Sequence, residues 1–192
     1  MEEVKKKKPI FKRWWFWVII VVVIFIAALS GGDDTSKPAS TVKKETFNFS
    51  KAELTKENVA KAISSTFGKN ELISVDVGTA KGVSTVIIVY DPKNALNEKA
   101  LVTKAAISAT DAMEILFKNP KTDKVLFWTQ TNMVDAKGNS SKEKVINVTL
   151  TKGNAKDINW ANFKPMVQLD YNKLFDIADD SFISPGITKN IK

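Results

Sequence analysis

The sequence predicts an α+β protein: an N-terminal transmembrane helix followed by a small α-β-β-α-β-β domain with an antiparallel sheet of about four strands. Three observations carry this. Trp14 to Ser30 is an uncharged, strongly apolar run. Two separate stretches, "ELISVDVGTAKGVSTVIIVYD" and "KVLFWTQTNMVDAKGNSSKEKVINVTLTK", read as strand–turn–strand patterns. A long apolar stripe at helical spacing lies between them.

The first element spans 14–30, seventeen residues of mostly Val, Ile, Phe and Trp. As a helix it would measure about 25 Å at ~1.5 Å per residue, near the roughly 30 Å of a hydrocarbon core. Lys12 and Arg13 can snorkel outward, and Trp14, Trp15 and Trp17 suit the headgroup zone. The preceding tail, 1–13, carries Lys5, Lys6, Lys7, Lys8, Lys12 and Arg13 against only Glu2 and Glu3, whereas Asp33 and Asp34 follow the run. That asymmetry predicts a cytoplasmic N-terminus, with the rest of the chain across the membrane. A cleavable signal peptide ending at Ala28-Leu29-Ser30 shares the basic head and small residues. The run's length, its Trp cluster and its β-branched packing favour a retained anchor.

Residues 31–44, "GGDDTSKPASTVKK", have the composition of a flexible stalk. The domain is expected over 45–192, about 145 residues, enough for one core. Ser50 with Glu53 matches a capping box before Leu54, Val59, Ala62, Ile63 and Phe67. The first hairpin turns at Gly78–Gly82, and its second run, Val86–Tyr90, is apolar on both faces, as in a covered central strand. From Asn94 or Asn97 to Lys118, Leu101, Ala105, Ser108, Ala112 and Leu116 form one stripe that Asn119–Pro120 closes. The second hairpin turns through "DAKGNSSKE". The C-terminal stretch brings Trp160, Phe163, Tyr171, Phe175 and Phe182, with Asp157 and Asp170 as helix caps, and is expected to cover the open face or end of the sheet.

Composition limits the chemistry. The chain has no cysteine and no histidine. Disulfides, thiolate sites, Cys nucleophiles, Ser-His-Asp triads and imidazole ligands are therefore all excluded. Its net charge of +8 divides between the basic tail and an external part whose lysines are scattered among acids. Arg13 is the only arginine, although nucleic-acid readers lean on Arg. A nucleic-acid partner is not expected. The lipid bilayer, met through residues 14–30, is the expected partner, together with an envelope protein or wall polymer.

Candidate chemistry is sparse. Asp176, Asp179 and Asp180 lack cation-loop spacing, and Ser141-Lys142-Glu143-Lys144 matches S-x-x-K only within a polar loop. No catalytic residue, metal site or cofactor is expected. Trp128 and Trp160 remain as ligand-binding candidates, set against the ordinary role of aromatics as core filling.

The head "KKKKPIFKRWWFWVIIVVVIFIA" looks like the anchors of uncharacterised single-pass membrane proteins of low-GC Gram-positive bacteria. The resemblance is limited to that anchor and implies an extracytoplasmic domain at the cell membrane, N-terminus inside. The expected role is a non-catalytic binding or accessory module at the bacterial envelope. The alternatives are a carboxylate-dependent envelope enzyme and a mobile-element exclusion or immunity factor.

Overall fold

A computed structural model describes residues 47–191. Asn48 caps a 3-10 turn, Phe49–Lys51, by accepting from the Ser50 N–H at 3.1 Å. Helix α1, Lys56–Ile63, is capped by Thr55, whose hydroxyl accepts from Asn58 N–H at 3.2 Å. The expected capping box at Ser50 and Glu53 therefore does not form. The chain leaves the 3-10 turn extended at Ala52, and the true cap lies five residues beyond Ser50.

Strands β1, Leu72–Ala80, and β2, Val83–Tyr90, form the first hairpin. Its turn is only Lys81–Gly82, both at positive φ (51° and 78°), as a tight twisted hairpin requires. Helix α2, Glu98–Leu116, begins at Asn97, whose side chain accepts from Ala100 N–H at 2.8 Å. Strands β3, Lys124–Val134, and β4, Ser140–Thr151, form the second hairpin. Four short helices and one strand follow: α3 Lys152–Ala155, α4 Trp160–Leu169, α5 Asn172–Ile177, β5 Asp180–Ile183 and α6 Pro185–Thr188.

The sheet corrects the sequence expectation in two respects. It has five strands in the order β1-β2-β3-β4-β5, and it is mixed rather than antiparallel. Both hairpins are antiparallel, but β2 and β3 run parallel, with Val86 opposite Val125 and Tyr90 opposite Thr129. The reason is connective. A long helix between two neighbouring strands returns the chain to the end where it started, so the next strand repeats the direction of the last. The fifth strand comes from the C-terminal segment, where Asp180–Ile183 pairs antiparallel to β4.

The membrane expectation is corrected as well. No helix among the described residues is long and apolar enough to cross a membrane. The longest, α2, carries Glu98, Lys99, Lys104, Asp111 and Glu114. The predicted anchor at 14–30, its interface residues Lys12, Arg13, Trp14, Trp15 and Trp17, and the stalk all lie outside the described residues. The described domain is α+β with no transmembrane element, and it lends no support to a single-pass membrane placement.

One apolar cluster unites the helices with a single face of the sheet. Val86, Ile88 and Tyr90 from β2, Val125 and Phe127 from β3, and Ile146, Val148 and Leu150 from β4 meet Leu101, Val102, Met113 and Leu116 of α2. Ala105, Ala106, Ala109 and Ala112 let the neighbouring layers approach α2 closely. Each helix, α1 to α6, contributes a buried residue to this cluster: Val59, Met113, Ala155, Val167, Leu174 and Ile187 are examples. All the described helices therefore sit on one side. Of the two places expected for the C-terminal stretch, its β5 lies at the end of the sheet, whereas helices α4 and α5 pack on α2 rather than over the open face.

Candidate functional site

Because side chains alternate along a strand, the residues between the core positions build a second face. Pairing aligns Asp76, Ile87, Leu126, Thr149 and Asp180 in one row across the five strands. The next row is Ser74, Val89, Trp128, Asn147 and Phe182. Among the described residues no helix lies over these rows, and Ile87, Leu126, Trp128 and Phe182 take no part in the core cluster. The sheet thus presents a second face, open toward Phe182, whose apolar centre is half-buried among its own neighbours, with Val89, Asn147 and Thr149 buried.

Trp128 stands near the middle of that face on the central strand, half-buried by its neighbours. The Lys144 ammonium lies 5.4 Å from the centre of its ring, a cation–π contact. A bulge in the β3–β4 pairing past Thr129 places Lys142 and Lys144 on this same face, opposite Asn132 and Gln130. Beside Trp128, Asn147 is only 3% exposed. Its Oδ1 accepts from the Thr149 hydroxyl at 3.1 Å, but its Nδ2 finds no acceptor among the described residues. A buried amide donor left unmatched costs about 1–3 kcal/mol, and this one sits in the middle of the apolar patch.

One end of the face is electrostatically organised. Asp91, just past β2, is 4% exposed. Its carboxylate accepts from Lys93 Nζ at 2.7 Å and from Lys142, which reaches across β3 to it. Burial pushes the Asp91 carboxyl up, but hydrogen bonds and attraction from Lys142 and Lys93 outweigh it and hold the group below the usual carboxylate range. The Lys93 ammonium is correspondingly raised, first by its bond to Asp91. With its folded pKa depressed, Asp91 contributes stability that is fully present above its unfolded value of about 3.9. That contribution is lost as pH falls through the lower folded pKa. Lys142→Met should move the Asp91 carboxyl titration upward, as followed by NMR. An unmoved midpoint would mean that Lys142 does not hold the carboxylate.

The two tryptophans singled out in the sequence are not brought together. Trp160 opens α4 on the helix side, edge-on to Phe163 at 6.3 Å and packed against the core. The acidic trio also disperses. Asp176 lies 3.6 Å from Lys173. Asp179 ties β5 to the end of β4 by accepting from Thr151 N–H at 2.6 Å and Asn154 Nδ2 at 2.9 Å. Asp180 stands in the sheet opposite Thr149. Among the described residues no group of three or more carboxylates could hold a metal ion. The S-x-x-K pattern lies on a strand, where positions three apart face opposite ways. Ser141 bonds Glu143 at 3.0 Å while Lys144 turns to Trp128, so the serine and lysine cannot act on one another.

Sequence reasoning missed Asp91, Lys142 and Asn147. Nothing local links Asp91 to Lys142, which is 51 residues away. Asn147 did leave a trace, as the lone amide in the apolar strand run "VINVTL". No protein-family model matches the chain, and neither a curated protein nor a solved structure matches it.

Proposed function

We propose that this domain is a non-catalytic binding module whose binding surface is the open face of the sheet. The observation that carries this is the pairing of a half-buried apolar centre outside the core cluster with a buried, unmatched amide donor at Asn147. An ordinary solvated sheet face alternates apolar-in with polar-out, whereas this one carries Ile87, Val89, Leu126, Trp128 and Phe182, with Phe182 exposed, Val89 buried and the other three half-buried. The dispersal of the carboxylates and of the Ser141–Lys144 pattern supports binding over catalysis.

The lack of native cysteine makes the test direct. Single cysteines at Thr85 and Gln130 on the open face, and at Lys156 on the far side, can each carry a benzophenone label in the full chain. In cells of the source organism, crosslinked adducts are expected from the two open-face positions and not from Lys156. Adducts at all three positions alike, or at none, would overturn the proposal.

A further inference from the structure

Resting on that reading of the open face, we infer that its ligand is an anionic polysaccharide, held by Trp128, Asn147 and Lys144. Three independent features on one patch select this chemistry. The half-buried indole offers a flat apolar platform, on whose accessible part the C–H face of a sugar ring can lie. Asn147 Nδ2 is an unmatched donor one strand away from that ring, and Gln130 adds a second amide on the same face. The cations exceed the anions beside them.

The charge count is local. Lys93 and Lys142 share the single buried carboxylate of Asp91, and Lys144 stands next to Lys142 on the same strand face. Glu71 nearby has its carboxylate occupied by the backbone N–H groups of Gly68 and Lys93. Of the two acids in the adjoining row, Asp76 pairs with Lys56, while Asp180 stands on the edge strand, two strands from Trp128. Among the described residues Lys144 has no carboxylate within ion-pair distance and rests on the Trp128 ring instead. An arriving acidic sugar gives Lys144 an anionic partner, and the ring face it vacates becomes available for stacking.

Other occupants fit less well. An extended peptide is usually recognised through main-chain hydrogen bonds at a sheet edge, but Trp128 lies on a strand paired on both sides. Sequence-tolerant nucleic-acid binding relies on aromatic stacking with Arg support, and the described domain contains no arginine. A second copy would set one positive cluster into an interface with another. The groove of about 550 Å³ at the start of α2 is lined by one charged residue, Glu98, which already accepts from Asn190.

The experiment is affinity electrophoresis of the full chain through gels containing polygalacturonate, neutral dextran, poly-glutamate or oligo-dT. Retardation by polygalacturonate is expected, reduced by added salt and absent with dextran. Trp128→Ala should weaken it about tenfold and Lys144→Gln about threefold, with Lys156→Gln unchanged. Equal retention on dextran, stronger retention on poly-glutamate or oligo-dT, or indifference to both open-face variants would each overturn the inference. So would an equal loss in Lys156→Gln, since the effect would then be general charge. Open-face crosslinks without polygalacturonate binding would sink the ligand class alone, whereas absent crosslinks would sink the binding surface itself.

Discussion

Phe127→Ala should cost this domain about 3–5 kcal/mol, the range for deleting a fully buried aromatic. The ring is 1% exposed on the central strand, between Ile88 on β2 and Val148 on β4. It packs 5.7 Å from Tyr90 and 6.2 Å from Phe67, so truncation opens a cavity and removes two aromatic contacts together. Against a typical total of about 5–15 kcal/mol, that loss takes the protein toward unfolding. The next residue supplies the control. Trp128 is larger but stands on the open face outside the core cluster, and its truncation should cost well under half as much. Urea unfolding of both variants measures the contrast. Equal losses would mean that the two faces have been assigned wrongly.

That contrast also shows how far the fold is legible in the residues alone. Alternation in "KVLFWTQT" says that Phe127 and Trp128 face opposite ways, but not which way is inward. The two hairpins and α2 announce themselves through local periodicity and turn residues. The sheet's mixed character does not, since it depends on where β3 docks after α2. Val86–Tyr90 does become an inner strand, between β1 and β3, but the described helices cover only one of the two faces that its apolar run led one to expect buried. The destination of the C-terminal aromatics was equally non-local. Trp160 and Phe163 on α4 could have covered either face, and packing on the alanine-rich α2 took them to the helix side. The open face exists because of that choice.

The candidate site was legible only in outline. Trp128 could be singled out as a large aromatic in a strand that turns polar. Its partners could not, because Lys144 reaches the ring only through a bulge that rephases β4 against β3. A sequence pattern of strict alternation places Lys142 and Lys144 on the same side as Ile146, in the core. The extra residue in the bulge moves them to the other face. The same bulge keeps Val145 and Ile146 both buried. A single backbone irregularity therefore sets the electrostatics of the face.

Asn119→Ala should destabilise the domain by about 2–4 kcal/mol, with the loss concentrated in its first described segment. From the sequence Asn119 is merely the residue that ends a helix before Pro120. In the fold it is 1% exposed, and its Nδ2 donates to two backbone carbonyls far away in the chain, Phe49 at 2.8 Å and Ala52 at 3.0 Å. Its Oδ1 accepts from Lys121 N–H at 3.0 Å. One side chain thus joins the end of α2 to the 3-10 turn that precedes α1. Removing it strands acceptors in a buried setting where water cannot fully replace the amide. Asn119→Asp should be worse than alanine despite its similar size, because it sets a carboxylate against the same two carbonyl oxygens. Hydrogen exchange should show residues 47–55 opening in both variants while α2 and the sheet remain protected. Uniform loss of protection would make Asn119 a general core residue. The reverse order, with aspartate milder than alanine, would mean that the donor bonds to Phe49 and Ala52 do not hold this segment in place.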